Sequence, residues 1–212
     1  MVWKGDTALF AASLLVAFAV GLICDFILYR YFTPRQGEVL RRSPVPHVSC
    51  PLCHCRKWGK LPAATIVAVS VTAVFLLLYG FSATALRCIL LCQVLAMAGV
   101  VDLATWEIPD IFHLLILMVG LAGFRPFPAL CGLLLVPLPL FVAAWKTGKV
   151  GGGDVKLMAV SGFALGVPAG VRMMVWGLAA GLLWNAIFHK GRESFPLAPF
   201  LAFGCFMALL PL

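Results

Sequence analysis

The chain has 212 residues, of which 63% are hydrophobic and 11% charged, with a net charge of +8. A soluble domain runs nearer half apolar and a quarter charged, so an ordinary water-soluble enzyme is excluded. A basic nucleic-acid-binding module is disfavoured too, because no folded polar domain exists to present the charge.

A helix needs roughly 20 apolar residues to cross a bilayer, and the sequence predicts eight such spans. They cover about 7–29, 62–80, 82–101, 110–123, 127–145, 154–166, 169–188 and 196–211. The first run, Thr7 to Tyr29, is too long for a signal-peptide core and ends without a small-residue cleavage site. It is read as a retained span, with Asp25, Arg30 and Arg35 marking its end. Pro62, Pro109, Pro126, Pro128, Pro168 and Pro196 lie at or near span starts, where proline is tolerated. Pro137 and Pro139 fall inside the fifth span and should kink it. The expected fold is an all-α polytopic membrane bundle. It divides into a first transmembrane helix (1–29), a basic loop (30–61) and a catalytic helix bundle (62–212).

Segment 30–61 carries Arg30, Arg35, Arg41, Arg42, Arg56, Lys57 and Lys60 against one acid, Glu38. By the positive-inside rule this loop is cytoplasmic. Threading eight spans from there puts loops 102–109, 146–153 and 189–195 on the same side, in agreement with Lys146, Lys149, Lys190 and Arg192. The opposite side receives only Lys4 and Arg125, with Arg87 a few residues inside the third span. Contact with anionic lipid explains the excess of positive charge.

Two aspartates then fall at the cytoplasmic membrane boundary, although 52 residues separate them. Asp102 ends the third span, in Val-Val-Asp102-Leu-Ala-Thr-Trp-Glu-Ile108-Pro109-Asp110. Asp154 begins the sixth, in Gly151-Gly152-Gly153-Asp154-Val-Lys156-Leu157. Either alone reads as an interfacial cap. Ionisable groups at membrane depth are costly, and two of them on one face are the minimum equipment for acid–base hydrolysis with an activated water. Close carboxylates tend to share a proton, so one can accept from water while the other hydrogen-bonds a carbonyl. Glycines 151–153 let a substrate backbone approach closely, or simply build a tight loop. Lys156 is read as binding lipid headgroups or tuning the site. Asp110 is read as a helix-start cap after Pro109, or as a third functional acid.

The Asp102…Ile108-Pro109-Asp110 and Gly151-Gly152-Gly153-Asp154-Val-Lys156-Leu157-Met-Ala159 motifs resemble the prepilin peptidases (type IV leader peptidases), which are GxGD intramembrane aspartyl proteases. The closing Phe195-Pro196-Leu-Ala-Pro199-Phe200-Leu-Ala-Phe-Gly204 is similar as well. A bare GxGD is a weak signal, but GxGD-x-Lys-Leu with a partner Asp-(x)5-Ile-Pro-Asp is specific. The resemblance implies that Asp102 and Asp154 are catalytic and that the site faces the cytoplasm from a bacterial inner membrane. It implies prepilins or type II secretion pseudopilins as substrates, cut between a short basic leader and a hydrophobic helix. No cofactor is needed for that proteolysis. Many members also methylate the new amino terminus with S-adenosylmethionine. Competing readings are a presenilin-like or preflagellin peptidase, an ion- or proton-coupled transporter using the aspartates as a relay, and a membrane scaffold.

Five of the eight cysteines, Cys24, Cys88, Cys92, Cys131 and Cys205, lie in apolar spans and act as small hydrophobes. Cys50-Pro-Leu-Cys53-His54-Cys55 differs, because it lies in the reducing loop, where a metal is favoured over a disulfide. Cys50 and Cys53, with Cys55, His54 or His47, match a tetrahedral zinc set. A reduced, metal-free knuckle is the alternative. Longer family members carry two separated CxxC pairs here, whereas this chain has one, a departure that leaves methyl transfer open.

Overall fold

The computed structural model describes residues 7–32, 63–148, 150–188 and 196–211. The described residues form an all-α membrane bundle. The predicted cysteine-loop ligands Cys50, Cys53, His54 and Cys55 lie outside the described residues.

Helices α1 (Thr7–Phe32) and α2 (Ala63–Tyr79) make one compact unit. Asp25 is not the end of α1, which runs on to Phe32. It is the cap of its neighbour: Oδ1 accepts the N–H of Ala64 at 3.0 Å, and Oδ2 accepts the Thr65 N–H at 3.0 Å and the Thr65 hydroxyl at 2.6 Å. The first N–H groups of a helix have no partner of their own, and in lipid an unsatisfied amide is costly. A carboxylate supplied from α1 therefore settles the start of α2 and fixes the register of the pair. Asp25→Ala should cost about 1–3 kcal/mol, with Asp25→Asn, which keeps one acceptor, in between. Thermal unfolding of the full chain in detergent reads this, and an unshifted midpoint would contradict it.

The second unit holds α3 (Ala83–Thr105), α4 (Asp110–Leu121), α5 (Pro126–Leu135), α6 (Leu138–Thr147), α7 (Gly152–Phe188) and α8 (Ala198–Leu209). The predicted fifth span is α5 and α6, broken at Val136–Pro137 where the prolines were expected to kink it. The predicted sixth and seventh spans are the two arms of α7. They part at Gly166, whose φ of 75° and ψ of 176° belong to a region essentially reserved for glycine. Eight residues of straight helix would separate Gly162 from Gly170 by about 12 Å. A Cβ on Gly170 would instead lie 3.5 Å from the Gly162 Cα, so the arms fold back on one another.

Among the described residues, four helical stretches are long and apolar enough to cross a membrane: Leu9–Leu28, Ala83–Leu103, Pro126–Thr147 and Gly152–Ile187. Shorter apolar helices are Ala64–Tyr79, Asp110–Leu121 and Ala198–Leu209. Large apolar side chains such as Leu134, Phe141 and Leu183 face outward, as a lipid-facing surface requires. Between the helices lipid gives no hydrophobic drive, so contact rests on close approach of small residues. Gly132 of α5 meets Gly162 of α7 backbone to backbone: a Cβ on Gly132 would sit 2.0 Å from the Gly162 carbonyl oxygen. Cys88, Cys92 and Cys205 are buried as small apolar side chains, with the Cys205 thiol against Cys92 joining α8 to α3.

Arg87, near the start of α3, hydrogen-bonds the carbonyls of Gly120 (3.4 Å) and Ala164. Both carbonyls lie near helix ends, at the close of α4 and just before the Gly166 break, where carbonyls lack partners within their own helix. A cation there also complements the helix dipoles. Arg87 thus ties three helices together about 22 Å along α3 from Asp102, taking 1.5 Å per residue.

Candidate active site

Hydropathy placed Asp102 at the end of the third span, but the helix itself continues to Thr105. Asp102 therefore projects from the last turn of α3 and is 6% exposed. Its Oδ2 accepts the amide N–H of Ala198, the first residue of α8, at 3.2 Å. That donor is one of the unpaired amides of a helix start, supplied by the proline-rich entry to α8.

Asp154 sits in the first turn of α7, after the three glycines. Its own N–H donates to the Gly151 carbonyl at 3.2 Å. A Cβ on Gly151 would fall 3.3 Å from Asp154 Oδ2, so the side chain folds over the glycine turn. Asp154 Oδ1 is buried and finds no hydrogen-bond partner among the described residues.

Both aspartates line one cavity of about 390 Å³, together with Gly151, Gly152, Gly153, Asp110 and Lys156. All seven of the membrane-site residues singled out from the sequence thus lie in one place. The same walls include Trp106, Glu107, Ile108 and His113, to which sequence reasoning gave no role. Asp110 is the first residue of α4, with Pro109 in the N-cap position and no side-chain cap bond. Its carboxylate instead faces Lys156 Nζ at 3.4 Å and His113 Nδ1 at 3.5 Å. The Lys156–Asp110 pair is largely exposed, so it orients side chains at the cavity mouth more than it stabilises the fold.

His113 is the missed residue with the plainest task. It is buried on α4, and its Nε2 lies 3.2 Å from the Gly153 carbonyl oxygen. A carbonyl only accepts, so Nε2 carries the proton. The bond fastens α4 to the residue just before Asp154. The one signal in the sequence is a histidine three residues after Asp110, on the same helix face. His113→Ala should leave the glycine turn loose and lower any activity of this site roughly ten- to hundredfold, the scale of an ångström-sized misplacement. His113→Gln, which keeps a donor, should lose less. Equal turnover by His113→Ala and the unmodified chain would remove this role.

The turn between α3 and α4 is also unusual. Trp106 has φ 58° and ψ 18°, the left-handed region, and its N–H donates to the Asp102 carbonyl at 2.9 Å. The Thr105 hydroxyl braces the turn, 2.9 Å from the carbonyl oxygens of Val101 and Glu107. The turn lays Ile108 against Gly153.

A buried Asp102 and a half-buried Asp154, at the ends of two apolar helices, thus line one cavity beside a glycine turn. Residues 89–211, more than half of the chain and inclusive of both aspartates, match the type IV leader peptidase family. The chain belongs to that family. It is similar to a protein of Bacillus subtilis (strain 168) named prepilin leader peptidase/N-methyltransferase, at 29% identity over 181 residues, covering 76% of this chain and 70% of that protein. No solved structure matches the chain.

Proposed function

We propose that the chain removes the leader from prepilins or type II secretion pseudopilins, with Asp102 and Asp154 as one catalytic pair. The single observation that carries the reading is the convergence of both carboxylates, the glycine turn and Asp110 on one cavity within the family-matched segment.

The hydrogen-bonding around each carboxyl group suggests its role. The amide donor on Asp102 Oδ2 suits an ionised acceptor. The bare Oδ1 of Asp154 suits the carboxyl that holds the shared proton and has a hydrogen bond to give. Asp102 takes a proton from water, and the oxygen of that water attacks the scissile carbonyl carbon. Asp154 donates its hydrogen bond to the carbonyl oxygen as charge develops there. The tetrahedral intermediate then collapses: the C–N bond breaks, the leaving amine takes a proton, and one proton stays with the pair. Water is consumed, and no covalent enzyme intermediate forms. Glycines 151–153 present backbone without side chains, so an extended substrate strand can lie close to Asp154.

The positive charge of segment 30–61 supports a cytoplasm-facing site in a bacterial cytoplasmic membrane. A basic leader then stays on the side where it was made while the hydrophobic helix enters lipid. The name of the Bacillus subtilis relative pairs proteolysis with N-methylation. Methyl transfer from S-adenosylmethionine is the second activity we assign to this chain on that likeness. Every group used in the hydrolysis lies outside segment 30–61, so zinc at Cys50, Cys53, His54 and Cys55 is not needed for cleavage. Co-expression with a prepilin, followed by mass measurement of the pilin amino terminus, tests the function. The leader should be lost, and a full-length product would overturn the reading.

A further inference from the structure

Trp106 occupies a backbone conformation that bulky residues rarely adopt. Glycine would adopt it without penalty. The indole is not buried to compensate, since the residue is 50% exposed. A bulky side chain held in the left-handed region and left in the open points to a use outside the fold.

Its location says what use. Trp106 lines the cavity that holds Asp102 and Asp154, where the other walls are mostly carboxylates, glycines and Lys156. The indole is the one large apolar ring among the lining residues. The turn carrying it is fixed by the Trp106 N–H bond to the Asp102 carbonyl and by the Thr105 hydroxyl. The direction in which the side chain leaves the backbone is therefore set relative to the two aspartates.

We propose that Trp106 is a specificity-determining residue, its indole forming the apolar wall against which a large apolar substrate side chain beside the scissile bond is seated. The inference rests on the peptidase reading above. A substrate passing from a polar leader to a lipid-embedded helix changes from polar to apolar at the cut. A cavity whose walls are mostly polar, with an apolar side made by the Trp106 indole and Ile108, has matching surfaces for both sides of that change. The strained turn is retained because it aims the ring, and glycine would relax the backbone but leave no wall.

The test uses the purified full-length chain in detergent and two prepilins that differ only in the residue entering the membrane at the cut, leucine or alanine. Trp106→Gly should unfold at no lower temperature than the unmodified chain. It should raise KM for the leucine substrate about three- to tenfold, the scale of one lost aromatic contact, with kcat little changed. KM for the alanine substrate should hardly move, and Trp106→Phe should restore most of the leucine preference. An unchanged KM on both substrates would overturn the inference and make the indole a membrane-interface anchor. An equal rise on both would also overturn it, because the turn rather than the ring would then be responsible. Failure of the unmodified chain to cut either substrate would instead remove the peptidase reading itself.

Discussion

Asp154→Asn should lower leader cleavage by about four orders of magnitude or more, the scale seen when one member of a catalytic unit is removed. Asp102→Asn should do the same. An amide keeps the shape of the carboxyl group but can neither take a proton from water nor give one up to the leaving amine, so the proton transfers do not survive. Folding should be spared. Asparagine's side-chain carbonyl at position 102 can still accept the Ala198 N–H that now reaches Oδ2 at 3.2 Å. A neutral amide is also easier than a charge to hold at the edge of the bilayer. The check is the cleavage rate of a prepilin at matched protein levels, with insertion and unfolding temperature measured alongside. Loss of cleavage accompanied by loss of the folded protein would not support the assignment.

The second large effect is on stability. Gly132→Val should unfold the second unit or loosen it severely. The new Cβ would stand 2.0 Å from the Gly162 carbonyl oxygen, 2.7 Å from its carbon and 3.0 Å from the Gly166 Cα. Backbone faces backbone at this crossing, so no side chain can rotate out of the way. Helix α5 must separate from α7, giving up contact along both. Overpacking costs about 1–3 kcal/mol when side chains can adjust, and here they cannot. A loss of about 3 kcal/mol or more would lower the midpoint by roughly 10 °C for a chain of this size. Cleavage should fall too, because the first arm of α7 carries both Gly162 and Asp154. Leu130→Ala, on the outward side of the same helix, is the control and should leave both nearly unchanged.

Much of the fold was legible because apolar runs, prolines and glycines speak about local structure. The kink at Pro137 and the break near Gly166–Pro168 fall where the sequence puts them. The end of α3 was misread by a turn, since hydropathy reports where lipid contact ends while the hydrogen-bonded ladder continues to Thr105. What the sequence hid is long-range pairing of polar groups. Asp25 looked like the close of a span, and its partners Ala64 and Thr65 are about 40 residues away. Arg87 looked like a stray charge, yet it fastens carbonyls on α4 and α7. His113 was passed over because nothing near it in sequence names the Gly153 carbonyl as its partner. That Asp102 and Asp154 share a cavity agrees with their expected places, one at the end of a span and the other at the start of a span after three glycines. The left-handed turn at Trp106 was not legible, because backbone strain at a bulky residue leaves no trace in composition or spacing.

The central claim is that Asp102 and Asp154 work as one unit, and a double-mutant cycle tests it most directly. Prepilin cleavage is measured for Asp102→Asn, Asp154→Asn and the variant carrying both, at matched levels of inserted protein. Groups that act together are lost together, so the account predicts that the double variant is no slower than either single. Near-normal cleavage by either single variant, or a double variant slower by the product of the two separate losses, would contradict it.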